Sequence, residues 1–270
     1  MIRGLWTAAS GMTSQQLNVD TIANNLANVN TVGYKKETTN FKSLLYQTMA
    51  APNVDNVQQP TTMQVGHGVR ALPNSRNYSM GILQETGNNT DMAIEGKGFF
   101  TVQKGDQMTY TRDGSFRISL TEDGAYALVT SDGNTVLSVE DEPILIGTEI
   151  PVDKVVIGKD GSIYYIDEET NMRMEIAQLK IVQFANVEGL EAIGSNLFIQ
   201  TAASGEPLIE GEEDGLIRSS IRTGYLEGSN VQVAEEMVKL IVAQRAYELN
   251  STSIKTVDTM LQQANDLKRS

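Results

Sequence analysis

Apolar residues recur in steps of three and four at both ends of this chain, and in short clusters or alternating pairs through its middle. Ile2, Leu5, Ala9, Met12, Val19, Ala23 and Leu26 form the first stripe, with Gln16 its one polar seam position. That spacing is close to a heptad and predicts an amphipathic helix from Leu5 or earlier to about Asn28. Gly11 within it costs about 1 kcal/mol relative to alanine, and either admits a second helix closely or marks a kink. The second stripe is Val233, Met237, Leu240, Ile254, Val257, Leu261 and Ala264, interrupted by Gln244, Ser251 and Asp258. No glycine or proline occurs from Val231 onward. A helix of that length spans roughly 50 Å. Ser229 and Gln232 have capping-box spacing at its start. Glu235 and Glu236 near the beginning and Lys268 and Arg269 near the end suit the helix dipole. A long amphipathic helix needs a partner for its stripe. The pattern therefore predicts that the terminal helices zip together, within one chain or between chains; packing of each on the body is the alternative it leaves open.

The middle reads differently. Phe99–Val102, Phe116–Ile118, Tyr126–Val129, Val155–Ile157, Ile163–Ile166 and Leu179–Val182 are short runs of strand formers. Asp113-Gly114, Asp123-Gly124, Asp132-Gly133 and Asp160-Gly161 separate several of them and favour tight hairpin turns. The expectation is an α+β chain: long N- and C-terminal helices pairing as a coiled-coil-like stalk, around a mostly antiparallel β domain. Ala50 to Met63 is poor in large apolar residues, holds Pro52 and Pro60, and reads as extended linker. The expected divisions are a helix over 1–34, an extended segment over 35–75, a β-rich domain over 76–218, and a return segment with the last helix over 219–270.

Charge sharpens this division. The net charge is −13 over 270 residues. Arg3 and Asp20 cancel in the first 34 residues, and acids and bases balance from Val231 onward, so the body carries the whole excess. Neutral ends suit close self-packing, since like charges brought together repel. The acidic balance argues against a nucleic-acid partner, which requires a basic patch. No apolar run approaches the length of a membrane span, and no signal segment is expected at Met1. With no cysteine, disulfides and thiolate metal sites are excluded.

Candidate chemistry is sparse. His67 is the one histidine, set between Gly66 and Gly68 with nothing resembling a nucleophile elbow beside it. Gly96-Lys97-Gly98 precedes a strand rather than a helix, so it lacks the donor-rich terminus that phosphates use. The Asp-Gly pairs do not continue into the ligand spacing of a calcium loop. Glu210, Glu212, Glu213 and Asp214 read as a solvated acidic loop. Trp6 reads as a residue of a helix interface. No catalytic residue, cofactor or metal is expected.

One resemblance organises these readings. Ile22-Ala23-Asn24-Asn25-Leu26-Ala27-Asn28-Val29-Asn30-Thr31-Val32-Gly33-Tyr34-Lys35 resembles the N-terminal signature of the bacterial flagellar rod and hook proteins. Gly228 to Met237 and Gln244-Arg245-Ala246-Tyr247-Glu248-Leu249-Asn250 resemble that family's C-terminal signature. Ala93 to Phe100 and Tyr110 to Phe116 are similar to its internal segments. Asn24, Asn25, Asn28, Gly33, Tyr34, Gln244, Arg245, Ala246 and Tyr247 are the motif positions. The resemblance implies a structural subunit of the distal rod of the flagellar basal body: a homopolymer that contacts other rod and hook subunits and transmits torque. It implies terminal helices lining a tube, and passage through the flagellar type III export apparatus. It also implies that the 50–65 stretch is an insertion distinguishing rod from hook. A proximal rod or hook subunit is the nearest alternative. An acidic, β-rich cell-wall enzyme with an oligomerisation stalk is the alternative of another class.

Overall fold

The computed structural model describes residues 2–48, 64–121, 124–147, 150–151, 154–166, 172–211 and 216–269. Two compact units emerge. One comprises residues 1–27, 37–76 and 232–270; the other comprises 28–36 and 77–231. The fold is α+β, with one helix at each end of the chain and antiparallel strands between them.

In the helical unit, α1 is Ile2–Ala27 and α2 is Val233–Arg269. Several hydroxyls inside both helices bond back to their own backbone. Thr7 Oγ1 donates to the Arg3 carbonyl, Thr21 to Leu17, Thr252 to Glu248 and Thr256 to Thr252. Polar side chains thus sit mid-helix without leaving their donors unmet. The expected capping box does not start α2. Ser229 Oγ accepts the Val231 N–H instead, at 3.3 Å, and the first turn is closed by the Glu236 N–H donating to the Gln232 carbonyl. The neighbouring Asn230 explains the shift. Its amide accepts from Lys36 N and donates to the Asn77 carbonyl, which ties this stretch to the β unit before the helix begins.

Residues on either side of the 50–63 region pair with each other rather than run as a simple linker. Glu37–Thr38 pairs with Ser75–Arg76, Phe41–Ser43 with Val69–Ala71, and Tyr46–Thr48 with Gln64–Gly66, all antiparallel. The arm they form lies along α1, where the Val69 N–H donates to Ser10 Oγ and Arg3 reaches Gln47. Residues 49–63, and with them most of the stretch read as linker, fall outside the described residues, as do Asp123 and the 212–215 part of the acidic loop.

The β unit is built on a ten-stranded antiparallel sheet. Phe99–Lys104 is its centre, flanked by Gln107–Thr111, Thr135–Val136 and Ile181–Gln183. This strand explains why its sequence reads as a continuous apolar run. Successive side chains face opposite ways, and both faces are covered. Phe100 and Val102 enter one core with Phe116, Leu128 and Leu197, while Phe99 enters another with Tyr110, Phe184 and Phe198. In the second core the rings meet edge to face at 4.9–6.1 Å. Such pairs add about 0.5–1.5 kcal/mol each beyond burial. A smaller sheet, Val155–Ile157, Ser162–Ile166 and Arg173–Gln178, turns at Asp160-Gly161 with Gly161 at φ +84°. Asp132-Gly133 likewise turns between paired strands, with Gly133 also at φ +84°.

Asp113-Gly114 is not a hairpin turn. The Gly114 carbonyl accepts the Met92 N–H, and a Cβ on Gly114 would fall 1.6 Å from the Met92 carbonyl oxygen, so the glycine serves close backbone packing. The β unit also takes in more chain than the 76–218 span expected from strand patterning. Ser220–Thr223 pairs with Met92–Glu95, and Tyr225–Glu227 pairs with Leu83–Glu85.

Candidate assembly interface

Within the helical unit the helices run antiparallel in a fixed register. Gly4 lies against Val257 and Gly11 against Asn250, and Asn25 Nδ2 donates to Glu236 Oε2 at 3.2 Å. Between the first two contacts, and twice over between the second and third, α1 advances by seven residues as α2 retreats by seven. The contact line is built from small and polar groups. Ala8, Ser14, Thr21, Ile22 and Asn25 are the buried residues of α1, and Glu236 and Ala243 those of α2. A Cβ on Gly11 would sit 2.9 Å from the Asn250 amide nitrogen. Gly11→Leu should therefore wedge the helices apart, costing about 1–3 kcal/mol. Thermal melting of the far-UV helical signal measures it.

Asn25 links α1 both to α2 and to the segment at Glu37. Its amide donates to the Glu37 carbonyl at 2.8 Å and accepts the Glu37 N–H at 2.9 Å, while also reaching Glu236. Glu236 is held in turn by Lys239 at 3.1 Å. Thr21, Thr39 and Asn74 form a second polar cluster beside it.

The apolar stripe read from the sequence sits one residue beyond the contact line on α1. Leu5, Ala9, Met12, Val19 and Leu26 are half-buried, and Ala23 is exposed; the side chain of Ile2 lies outside the described residues. One residue is about 100° of helix rotation, so these side chains flank the seam and Gly4, Gly11 and Asn25 occupy it. On α2, Leu240, Ile254, Val257 and Leu261 are half-buried, whereas Val233 and Met237 are exposed. A search for apolar periodicity passes over a seam made of glycine, serine, threonine and asparagine.

That search also missed an exposed apolar face of α2. Val238, Ile241 and Val242 are 61, 57 and 63 % exposed, and Leu249 continues the same three-four stepping. On α1, Trp6 is 72 % exposed, so within this chain it does not pack in the helix interface expected of it. These exposed side chains are turned away from the contact the helices make with each other, unlike Ile22, which is buried, and Val257, which meets Gly4. Contiguous exposed apolar surface on a soluble protein marks an interaction site.

The motif residues divide between the units. Asn24, exposed, and Asn25, buried, belong to the helical unit with Gln244, Arg245, Ala246 and Tyr247. Arg245 is exposed and pairs with Glu248 at 2.9 Å. Asn28, Gly33 and Tyr34 belong to the β unit. Thr31 Oγ1 donates to Asn28 Oδ1, and Gly33 takes φ +69° where a Cβ would lie 2.7 Å from Asp113 N. The Gly33 N–H donates to the Glu227 carbonyl at 2.7 Å.

Beside that contact is a cluster whose pairing the sequence did not signal, although Lys35 ends the N-terminal signature and Arg112 lies in the Tyr110 to Phe116 segment. Lys35, Arg112 and Glu227 are each no more than 2 % exposed. Lys35 Nζ is 2.5 Å from Glu227 Oε1 and donates to the Ser79 carbonyl. Arg112 reaches Glu227 Oε2 at 3.3 Å and the Gly96 carbonyl at 2.8 Å, over the Phe99 ring. The Gly81 N–H donates to Glu227 Oε1. Burial lowers both the Lys35 and Arg112 pKa values, and Glu227 opposes that shift in each. The cluster joins residues far apart in the chain into one support for the β unit. His67 is exposed, and among the described residues no group of acidic or histidine side chains is arranged to hold a metal ion. No described helix is long and apolar enough to cross a membrane.

The chain thus combines terminal helices that expose apolar side chains with an antiparallel β unit that carries the acidic excess, features of a structural protein rather than of a reaction centre. Three family models match along the chain. They are Flagella basal body rod protein over residues 5–35, Flagellar hook protein FlgE/F/G D1 domain over 93–165, and Flagellar basal body rod FlgEFG protein C-terminal over 222–267. The chain is 48% identical to the flagellar basal-body rod protein FlgG of Borreliella burgdorferi, over the full length of both. It is 36% identical to the FlgG of Bacillus subtilis, again over the whole of each chain. It is also 31% identical to a flagellar hook-basal body complex protein, FlhP, of Bacillus subtilis, over 99% of this chain and all of that one. The chain belongs to the flagellar basal-body rod protein family, a structural family, which places it in the flagellar basal body.

Proposed function

We propose that this chain is a subunit of the distal rod, polymerising with copies of itself into a helical tube that carries torque from motor to hook. The observation that carries this reading is the outward apolar face of α2, with Trp6 exposed on α1. The other helix of the chain does not cover these particular side chains, so they remain available to neighbours. Head-to-tail contact between unlike surfaces that fails to close gives a filament rather than a ring. The matched seven-residue steps along the helix pair support a coiled-coil-like stalk, with Asn25 and Glu236 as its register key. Contacts with other rod and hook subunits follow from the same faces. Export as an unfolded chain through the type III apparatus accompanies this reading, with the two-unit fold forming at the growing tip.

An electron-dense label on the exposed Asp132-Gly133 turn of the full-length protein, followed by microscopy of purified basal bodies, tests it. The label should decorate the shaft immediately below the hook. Decoration of the hook itself, or only of the cell-proximal end of the shaft, would transfer the protein to the corresponding subunit class.

A further inference from the structure

Within the β unit, two sheets part company beside the tight turn at Ser138–Pro143. Leu145–Ile146 pairs with Tyr126–Thr130 and is the last strand on that branch of the large sheet. Arg173–Gln178 pairs with Ser162–Ile166 and is the outer strand of the small sheet. The two sides are stitched together at one end, where Ser138 bridges Leu179 and the Val139 N–H donates to the Gln178 carbonyl. Beyond that stitch a cleft of about 500 Å³ opens, lined from one side by Val139, Pro143 and Leu145 and from the other by Ile176, Ala177 and Gln178. A strand edge carries unpaired N–H and C=O groups that can pair with another extended chain. Here strands from two sheets border one cleft, with Leu145, Ile176 and Ala177 offering it apolar surface.

We propose that this cleft accepts an extended, lysine- or arginine-bearing segment of a second kind of polypeptide, which adds as a strand along Arg173–Gln178. The backbone edge supplies the main-chain pairing and the alternating side chains supply the selection. Charge chooses the occupant. Glu140, Glu142 and Glu175 line the cleft, and none of the three is ion-paired among the described residues. Their neighbour Asp141 is already paired to Lys180. Three unneutralised carboxylates repel an acidic strand and attract a basic one. A second copy of this chain is the poorer occupant, because its body carries the same acidic excess within a net charge of −13. The surface lies wholly in the β unit and does not depend on how the helices assemble, so it goes beyond the rod reading and can fail without it.

The test uses the full-length protein at a concentration where it is monomeric. The probes are three ten-residue peptides: one alternating lysine and valine, the same peptide N-methylated at every residue, and one alternating glutamate and valine. The lysine peptide should bind saturably and slow amide exchange at 173–178. N-methylation, which removes main-chain donors and keeps the charge, should weaken binding at least tenfold, and the glutamate peptide should not bind. Glu140→Gln/Glu142→Gln/Glu175→Gln should retain the wild-type melting temperature and lose at least tenfold in affinity for the lysine peptide. Equal binding of the methylated peptide would reduce the effect to bulk charge attraction and overturn the proposal. So would protection of 173–178 by self-assembly alone, which would make the cleft a contact between copies.

Discussion

Glu227→Gln should destabilise the β unit by about 3–5 kcal/mol, the cost of removing one partner from a buried ion pair. Glutamine keeps the shape and can still accept the Gly81 N–H, so the loss isolates the charge. In the native cluster two cations share one carboxylate. The substitution leaves Lys35 and Arg112 facing each other in a dry site. Lys35→Met instead leaves Arg112 and Glu227 as a neutral pair, and should cost less. Amide exchange over 77–231 in the full chain reads both; Trp6 lies on α1 and does not report on this unit. A loss below about 1 kcal/mol for Glu227→Gln, or a larger loss for Lys35→Met, would contradict the role assigned to Glu227.

The same cluster sets a pH dependence. Burial holds the Lys35 pKa below its ordinary 10.5. Between that lowered value and 10.5 the unfolded chain carries a proton on Lys35 that the folded chain has lost. Stability contributed by this group therefore rises with pH across the window. Tyr110 acts the other way. Burial raises its pKa above 10, so the folded chain keeps a proton the unfolded chain gives up, and its contribution falls as pH rises through that range. Lys35→Met removes only the first effect. The stability of wild type relative to Lys35→Met should therefore increase with pH up to about 10.5.

Elements were legible where burial leaves a local pattern, a stripe or alternation when one face is covered and a continuous apolar run when both are. Ile2–Ala27 appears in the sequence as a three-four stripe, and the strand runs at Phe99, Phe116, Tyr126 and Ile163 all lie within strands. Three kinds of feature escaped. Gly11 was legible as a place where a second helix could approach closely, but the rest of the helix seam escaped because Gly4, Ser14 and Asn25 are not apolar and the apolar stripe lies one residue away. The outward face at Val238, Ile241 and Val242 escaped because i, i+3, i+4 spacing cannot say which of two apolar sides is turned inward. Glu227 escaped because its partners lie 192 and 115 residues away, and long-range charge pairing leaves no local trace. The same distance explains the span of the β unit. A fragment cut at 76 and 218 would lose Lys35, Glu227 and two strands, leaving Arg112 without its carboxylate.

Val238→Asp/Ile241→Asp/Val242→Asp should abolish polymer formation while leaving the monomer folded. All three side chains are more than half exposed in the single chain, so the substitutions remove nothing from its core. In a polymer that buries them, each apolar side chain contributes about 1.5–3 kcal/mol, and each carboxylate would instead be desolvated unpaired. The combined loss per contact is on the order of 5 kcal/mol or more, at least a thousandfold in association constant. A filament repeats that loss at every step, so the effect compounds along the rod. Cells carrying the variant should show basal bodies that stop short of the distal shaft and should not swim. The purified variant should match wild type in far-UV signal and in exchange protection of 77–231. Normal rods built from this triple variant would place the subunit contacts on another surface and remove the observation on which the rod reading stands.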